Sequence, residues 1–127
     1  MNSRTIVVGD IHGCYDELIA LLEKANLGSN DKVVSVGDLI TKGPKNREVL
    51  ELFMTDHRFN SVIGNHDLQL RRRWTGEDVE LKPAQREAHK ELKADKDAYA
   101  SFFNRLPFTI DLGAHLVVHA GLRPNVE

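Results

Sequence analysis

The segment "VVGDIHGCYDEL", residues 7–18, joins a run of β-branched residues to a helical pattern through glycines that flank Asp10 and His12. Short β-branched runs are typical of buried strands, and the apolar residues of 15–22 repeat at helical spacing. A strand that only has to end does so with Gly, Asn or Pro. We therefore interpret the acid and the imidazole at this strand end as part of a functional site.

Strand-like and helical patterns alternate through the first half of the chain. Strands are predicted at residues 5–8, 32–36 and 60–63. Between them we expect a helix over residues 15–25 that is capped by Gly28, and a second helix that opens at Pro44. Because strands connected through helices usually lie parallel in one sheet, this order predicts an α/β fold with right-handed crossovers.

Charges of both signs dominate residues 71–97, within a helical insertion that we predict at about residues 68–105. We expect two exposed helices in this charged stretch, broken near Gly76 and Pro83, because it lacks a wide apolar face. Residues 109–121 are typical of a hairpin that turns at Gly113. The chain therefore ends, in this interpretation, with strands that follow an exposed helical region.

Composition and charge limit the functional classes. With 127 residues, of which 41% are hydrophobic and 28% charged, the sequence predicts a single globular domain over residues 1–127. A formal net charge of −2 gives no support for nucleic-acid or membrane partners, and no apolar run approaches the roughly 18 residues of a membrane span. Cys14 is the only cysteine, so no internal disulfide can form and a cytoplasmic location is expected.

Four glycine-bounded motifs carry the polar residues of interest: "GDIHG" (9–13), "GDLITKG" (37–43), "GNHD" (64–67) and "HAG" (119–121). Three of them follow predicted strands, and the fourth follows the predicted hairpin. In a parallel α/β sheet, ligands bind outside the carboxyl ends of the strands. We therefore expect six polar side chains to meet at one rim of the sheet: Asp10, His12, Asp38, Asn65, His66 and His119.

Carboxylates, an amide oxygen and neutral imidazoles form a ligand set that suits borderline divalent cations such as Mn, Fe, Zn, Ni or Co. Acids crowded together beside histidines are electrostatically unfavourable without a cation. Each motif alone is also compatible with a plain turn, but Asp10, Asp38 and Asn65 are spaced by 28 and 27 residues, about one βα unit each. The remaining histidines lack such a context and are expected at the surface or in packing: His57, His89 and His115.

This ordered set of motifs resembles the calcineurin-like metallophosphoesterases of the phosphoprotein phosphatase superfamily. Their pattern runs Gly-Asp-x-His-Gly, Gly-Asp-x-x-Asp-Arg-Gly, Gly-Asn-His-Glu/Asp and a later His-Gly/Ala-Gly. "GDLITKGP", "GNHD" and "GCYDEL" are most similar to the bacterial diadenosine tetraphosphatases and ApaH-like phosphatases. The resemblance covers residues 6–124 and implies a β-sandwich flanked by helices, with a parallel βαβ first sheet and with the C-terminal part of the domain missing from this chain.

The resemblance also implies a set of residue roles. Asp10 and His12 bind one of two divalent metal ions, Asp38 bridges both ions, and Asn65 and His119 bind the second. His66 is the general acid for the leaving oxygen, and Lys42 and Asn65 contact the substrate. The implied reaction is hydrolysis of phosphoanhydride or phosphomonoester bonds by a hydroxide that two metals activate, on nucleotide polyphosphates such as diadenosine tetraphosphate.

Two residues depart from the protein-phosphatase pattern. Thr41 stands where those enzymes have the acid that orients the catalytic histidine, and Lys42 stands where they have a phosphate-binding arginine. Lysine neutralises a phosphate as a point charge but cannot form the bidentate fork of arginine. A phosphoanhydride leaving group is weakly basic and needs less proton assistance than a serine alkoxide, so we expect nucleotide polyphosphates to be preferred over phosphoserine.

Alternatives to this function stay open. One is a protein serine/threonine phosphatase that acts on phosphoproteins. Another is a truncated, non-catalytic binding module that keeps one metal or none. An incomplete second sheet would also expose an edge and part of the core, which a second copy of the chain could cover by self-association.

Overall fold

The computed structural model describes residues 3–119, in which a parallel sheet and a hairpin are combined with helices. The strands are β1 (Thr5–Val8), β2 (Lys32–Ser35), β3 (Phe59–Ser61), β4 (Thr109–Asp111) and β5 (Leu116–Val118). The helices are α1 (Tyr15–Lys24), α2 (Asn46–Thr55), α3 (Asn65–Trp74), α4 (Pro83–Leu92) and α5 (Lys96–Arg105), with a 3₁₀ turn at Lys93–Asp95. No helix in residues 3–119 is long and apolar enough to cross a bilayer.

The first three strands form one parallel sheet in the order β1-β2-β3. Val33 of the central strand pairs with Ile6 on one side and with Phe59 on the other. Each pair of neighbouring strands is connected through a helix, which confirms the predicted α/β fold with a parallel βαβ sheet. All three strands therefore direct their carboxyl ends to the same edge of the sheet.

The predicted helix boundaries were wrong in two places. Helix α1 ends at Lys24, and the left-handed residue that follows it is Asn26 (φ +54°) rather than Gly28, whose N–H donates to the Asp31 carboxylate. Helix α2 begins at Asn46, two residues after Pro44, because the preceding loop has first to complete its turn. Both boundaries involve side-chain hydrogen bonds that the apolar repeat does not indicate, from Gly28 N to Asp31 and from Thr41 N to Asn46 Oδ1.

The charged stretch 71–97 is less exposed than predicted, and it contains parts of three helices, α3, α4 and α5, rather than two. Leu70, Trp74 and Leu92 belong to the main apolar core, and the ring of Trp74 lies parallel to that of the fully buried Phe103 at a centroid distance of 6.1 Å. The apolar positions recur only about once per turn between charged residues, so the sequence shows no wide apolar face. Even so, these helices pack against one another and against α2.

The hairpin of β4 and β5 is antiparallel, as predicted, and pairs Ile110 with Val117. Gly113 lies in the connecting turn with φ +89°. Val117 packs with Val34 and Val62 of the parallel sheet region in a second, smaller apolar cluster. The hairpin is thereby held against the sheet, and the residue that follows β5 lies beside the strand ends.

Candidate metal centre

The loops after β1 and β2 are hydrogen-bonded to each other directly beyond the sheet. The backbone N–H of His12 donates to the carbonyl of Asp38 at 2.9 Å, and that of Gly13 donates to the carbonyl of Leu39 at 2.9 Å. The loop after β3 joins them because the His66 N–H donates to Asp38 Oδ1 at 2.9 Å. The first three motifs therefore form one connected group of loops at the carboxyl ends of the strands.

Left-handed backbone conformations are concentrated in these loops. His12 (φ +48°), Asp38 (φ +52°), Thr41 (φ +79°) and Lys42 (φ +75°) all adopt positive φ. Such a conformation costs a non-glycine residue about 1–3 kcal/mol and persists only where the surrounding structure enforces it. At Gly37 (φ +105°) an added Cβ would lie only 2.7 Å from Gly64 N, so the loops after β2 and β3 are in close contact.

Three motif residues can offer ligand atoms to one ion. Single atoms of Asp10, His12 and Asp38 all lie within 4.8 Å of one another. His12 Nε2 is 3.7 Å from Asp10 Oδ2 and 3.8 Å from Asp38 Oδ2. Ligands that surround one bound ion have such spacings. The structure therefore brings Asp10 and His12 of the first motif together with Asp38 of the second.

His119 reaches the same group from the hairpin. It is buried, and its Nε2 lies 3.3 Å from Asp38 Oδ2 while its Nδ1 lies 3.9 Å from Asp10 Oδ1. Asp38 Oδ2 therefore faces both His12 and His119, and Asp38 Oδ1 is occupied by the His66 N–H. Ala120 and Gly121, the rest of the fourth motif, lie outside the described residues.

Backbone carbonyls determine which nitrogen of each imidazole carries hydrogen. His12 Nδ1 is 3.2 Å from the carbonyl of Ile40, and His119 Nδ1 is 2.8 Å from the carbonyl of Val36. A carbonyl can only accept, so Nδ1 is the donor in both rings and Nε2 faces the Asp38 carboxylate. Two nitrogen lone pairs directed at a buried carboxylate repel it unless a cation lies between them. The donor set therefore fits a borderline divalent cation.

Two other members of the predicted site, Asn65 and Lys42, are exposed. Asn65 is the first residue of α3, directly before His66, and Lys42 lies in the loop between β2 and α2. The positive charge of Lys42 helps to lower the pKa of His66, which indicates that the two side chains are near each other. A ligand role for Asn65 and substrate contacts for Asn65 and Lys42 stay predictions.

His66 is half-buried beside the metal-ligand group and meets partners that the sequence did not indicate as a set. Burial lowers the pKa of His66, and the Asp38 carboxylate acts in the opposite direction. Thr41 Oγ1 is 2.9 Å from His66 Nδ1, and Gln85 Nε2 from α4 is 3.3 Å from the same atom. Thr41 could be suspected from its place in the motif, but Gln85 lies in the helical region and carries no motif signal.

Asp67, the last residue of "GNHD", ties the site loops together. Its side chain is fully buried, with Oδ1 accepting from Leu39 N at 3.0 Å and Oδ2 accepting from Gly64 N at 3.0 Å. Burial raises the pKa of Asp67 to about 7. This carboxyl group joins the loop after β2 to the start of α3 and thereby supports the positions of Asp38 and His66.

The fold, together with the cluster of carboxylates and imidazoles at its strand ends, is that of a metallophosphoesterase. The model of the calcineurin-like phosphoesterase family matches residues 3–126, and the chain belongs to that family. Proteins named symmetrical bis(5'-nucleosyl)-tetraphosphatase are similar to it over 125 residues, with 38% identity for the one from Shigella dysenteriae and 37% for the one from Klebsiella pneumoniae. Each alignment covers 95% of this chain, which spans 44% of the length of these curated relatives.

Solved structures agree with this assignment of the fold. A proposed diadenosine tetraphosphatase superposes with a TM-score of 0.75 at 30% identity, over 99% of this chain and 57% of the other. A metallophosphoesterase from Sphaerobacter thermophilus superposes with a TM-score of 0.63 at 28% identity, over 84% of this chain and 42% of the other. A protein serine/threonine phosphatase from Saccharomyces cerevisiae, at 20% identity and a TM-score of 0.61 over 86% of this chain and 38% of the other, shares the fold.

Proposed function

We propose that this chain carries the metal site of a phosphoesterase that hydrolyses phosphoanhydride bonds in nucleotide polyphosphates such as diadenosine tetraphosphate. The observation that carries the proposal is the environment of Asp38 Oδ2, which lies 3.3 Å from His119 Nε2 and 3.8 Å from His12 Nε2. Both nitrogens are available as ligands because each ring uses Nδ1 to bond a backbone carbonyl. Asp38 is thereby suited to bridge two ions.

In this proposal, Asp10 and His12 hold the first of two divalent ions, and His119 and Asn65 hold the second. When bound, two divalent cations supply a hydroxide nucleophile at neutral pH and neutralise charge on the phosphoryl group. The chain itself contributes the orientation of these ligands. The hydrogen bond from the His66 N–H to Asp38 Oδ1 leaves only Oδ2 free to face His12 and His119.

His66 and Lys42 act on the substrate in this proposal. His66 lies beside the Asp38 carboxylate, where its side chain can assist the oxygen that leaves as the phosphorus–oxygen bond breaks. Lys42, exposed in the neighbouring loop, neutralises charge on a non-reacting phosphate, and Asn65 also contacts the substrate. Because a polyphosphate carries several charged groups, a flexible cationic side chain near the reacting centre favours this substrate class.

The substrate class is supported by the names of the relatives and by the chemistry of the leaving group. The relatives named bis(5'-nucleosyl)-tetraphosphatase are more than twice as long as this chain, so the activity in their name is a proposal for this chain. A nucleotide phosphate leaves as a weakly basic anion, and Thr41 provides no carboxylate to help His66 protonate a more basic group. We also propose a cytoplasmic location, in keeping with the single free cysteine.

The test is hydrolysis of diadenosine tetraphosphate by the purified chain with added Mn²⁺, alongside a phosphoserine peptide and a count of bound metal. We expect two equivalents of metal and a faster reaction with the dinucleotide. Asp38→Asn should abolish turnover, whereas Asp16→Asn, at an exposed carboxylate on α1 paired with Lys45, should not. A faster reaction with the phosphopeptide would instead identify a protein phosphatase, and a folded chain without metal and without turnover would identify a binding module.

Self-association is a further part of the proposal. Val7, Leu116 and Val118 are large apolar side chains that are 50%, 61% and 41% exposed, respectively, and Val7 lies on β1, an edge strand of the parallel sheet. Exposed apolar residues near an open sheet edge favour pairing with another copy. Sedimentation equilibrium of the chain should show a dimer that Leu116→Lys dissociates, and a monomer at all concentrations would contradict this part.

A further inference from the structure

Gln85 connects the helical region to His66, the residue that we propose assists the leaving oxygen. It lies in the first turn of α4, and its side chain is only 3% exposed. Gln85 Oε1 accepts from the backbone N–H of Lys82 at 2.9 Å, and Gln85 Nε2 lies 3.3 Å from His66 Nδ1. One amide side chain therefore both caps α4 and faces the imidazole.

The orientation of the Gln85 amide follows from this double contact. A backbone N–H can only donate, so the atom of Gln85 that faces Lys82 must be the oxygen. The amide NH₂ group is consequently directed at His66 Nδ1, which has to accept. A lone pair on Nδ1 places the ring hydrogen of neutral His66 on Nε2.

Thr41 is compatible with the same assignment. Its hydroxyl lies 2.9 Å from His66 Nδ1 and 3.4 Å from His12 Nδ1. Because His12 Nδ1 carries hydrogen, the Thr41 oxygen can accept weakly from His12 while its hydrogen is donated to His66. Within the described residues, the side chains hydrogen-bonded to His66 Nδ1 are thus a hydroxyl and an amide, and neither is a carboxylate.

We propose that Gln85 is a positioning residue that sets the leaving-group specificity of the site by holding His66 as the Nε2–H tautomer. This inference rests on the proposed function. Water that has released one proton to solvent supplies the attacking oxygen as hydroxide, a new P–O bond forms, and the old P–O bond breaks with its electron pair on the leaving oxygen. Nε2–H donates a hydrogen bond to that oxygen, which departs as an anion, and the proton stays on His66.

Leaving groups are discriminated because neutral imidazole is a very weak acid. A nucleotide phosphate is stable as an anion and needs only the hydrogen bond. An alkyl oxygen, such as that of phosphoserine, has to receive a proton, and a neutral ring that gave up Nε2–H would become an unstable imidazolate. The arrangement therefore favours phosphoanhydrides over alkyl phosphates, through a residue that belongs to none of the four motifs.

Gln85→Glu tests the proposal because glutamate, like glutamine, can accept a hydrogen bond from Lys82 N, whereas an ionised carboxylate cannot donate one to His66 Nδ1. One carboxylate oxygen can still accept from Lys82 N, so the cap of α4 is preserved. The other oxygen accepts where the amide donated, which allows hydrogen on His66 Nδ1 and makes the ring a proton-transferring acid. General acid catalysis contributes about 10²–10⁴-fold, so the rate ratio of phosphoserine peptide to diadenosine tetraphosphate should rise at least tenfold.

The matched control is Gln69→Glu on α3, which adds the same charge at a half-buried glutamine whose side chain contacts Arg72. Both variants are compared with the parent for thermal unfolding and for kcat/KM with Mn²⁺ on phenyl phosphates of graded leaving-group pKa. We expect the dependence of log kcat/KM on that pKa to become shallower in Gln85→Glu alone. An unchanged dependence and an unchanged substrate ratio in a folded Gln85→Glu protein would overturn the proposal.

A second measurement does not require turnover. Nitrogen NMR of histidine-labelled protein without added metal distinguishes an Nδ1–H from an Nε2–H imidazole, with His66→Asn used to assign the signal. The proposal requires Nε2–H in the parent and hydrogen on Nδ1 in Gln85→Glu. An Nδ1–H ring in the parent would overturn the assignment of the His66 tautomer to Gln85. If the spectra show the expected tautomers but the protein has no phosphoesterase activity, only the proposed function is wrong.

Discussion

Replacement of Thr41 by valine should weaken the site without disturbing its backbone. Thr41 is fully buried at φ +79°, and its N–H donates to Asn46 Oδ1 at 2.9 Å, a bond that valine keeps. Valine has nearly the same shape and the same β-branching, so the backbone strain is unchanged. The variant loses only the hydroxyl, and with it the 2.9 Å contact to His66 Nδ1. One intramolecular hydrogen bond is worth about 1 kcal/mol.

If that hydrogen bond is retained in the transition state, its loss corresponds to about a fivefold decrease in kcat. The assay is steady-state hydrolysis of diadenosine tetraphosphate with Mn²⁺, together with urea denaturation to measure the free energy of unfolding. Thr41→Ser restores the hydroxyl and should recover most of the activity, and Thr55→Val removes an exposed hydroxyl on α2 as a control. An unchanged kcat in a folded Thr41→Val protein would refute the role given to this contact.

Further predictions concern stability. Hydrogen bonds from Arg4 and Gly28 hold the pKa of Asp31 well below its usual range, so this carboxylate stabilises the fold above about pH 4 and loses that effect as the pH falls through its folded-state pKa. Asp31→Asn should therefore unfold more easily near pH 7, with a difference from the parent that shrinks in acid titrations followed by circular dichroism. Phe103→Ala should cost about 3–5 kcal/mol of unfolding free energy in urea, because it leaves a cavity against Trp74. Gly37→Ala should lower the urea midpoint, since its Cβ would meet Gly64 N at 2.7 Å, and an unaltered midpoint would contradict the close loop contact.

The parallel sheet and the loops at its edge could be predicted because their signals are local. β-branched runs determine strands, and each run was followed within a few residues by a glycine and a polar residue. Because helices connect these strands, the topology places their carboxyl ends together. The proximity of Asp10 and Asp38 could therefore be predicted from the order of the elements alone. His119 joined them because the hairpin also had a local turn signal at Gly113.

The parts that could not be predicted depend on contacts between distant residues. Trp74 follows three arginines and lies 29 positions from Phe103, and only the packing of α3 on α5 makes it a core residue. In the sequence, Gln85 is indistinguishable from the other polar residues of a solvated helix. Only the folded structure shows that its amide lies beside His66. The start of α2 at Asn46 likewise depends on tertiary bonds, since its side chain accepts from Thr41 N and donates to Glu91.

We propose that Asp10, His12, Asp38 and His119 surround bound divalent cations. Anomalous diffraction from crystals of the chain grown with manganese would locate such ions. We expect manganese density in direct contact with Asp38 Oδ2 and with Nε2 of His12 and His119. A manganese-grown crystal in which these side chains are ordered but carry no anomalous peak between them would contradict it.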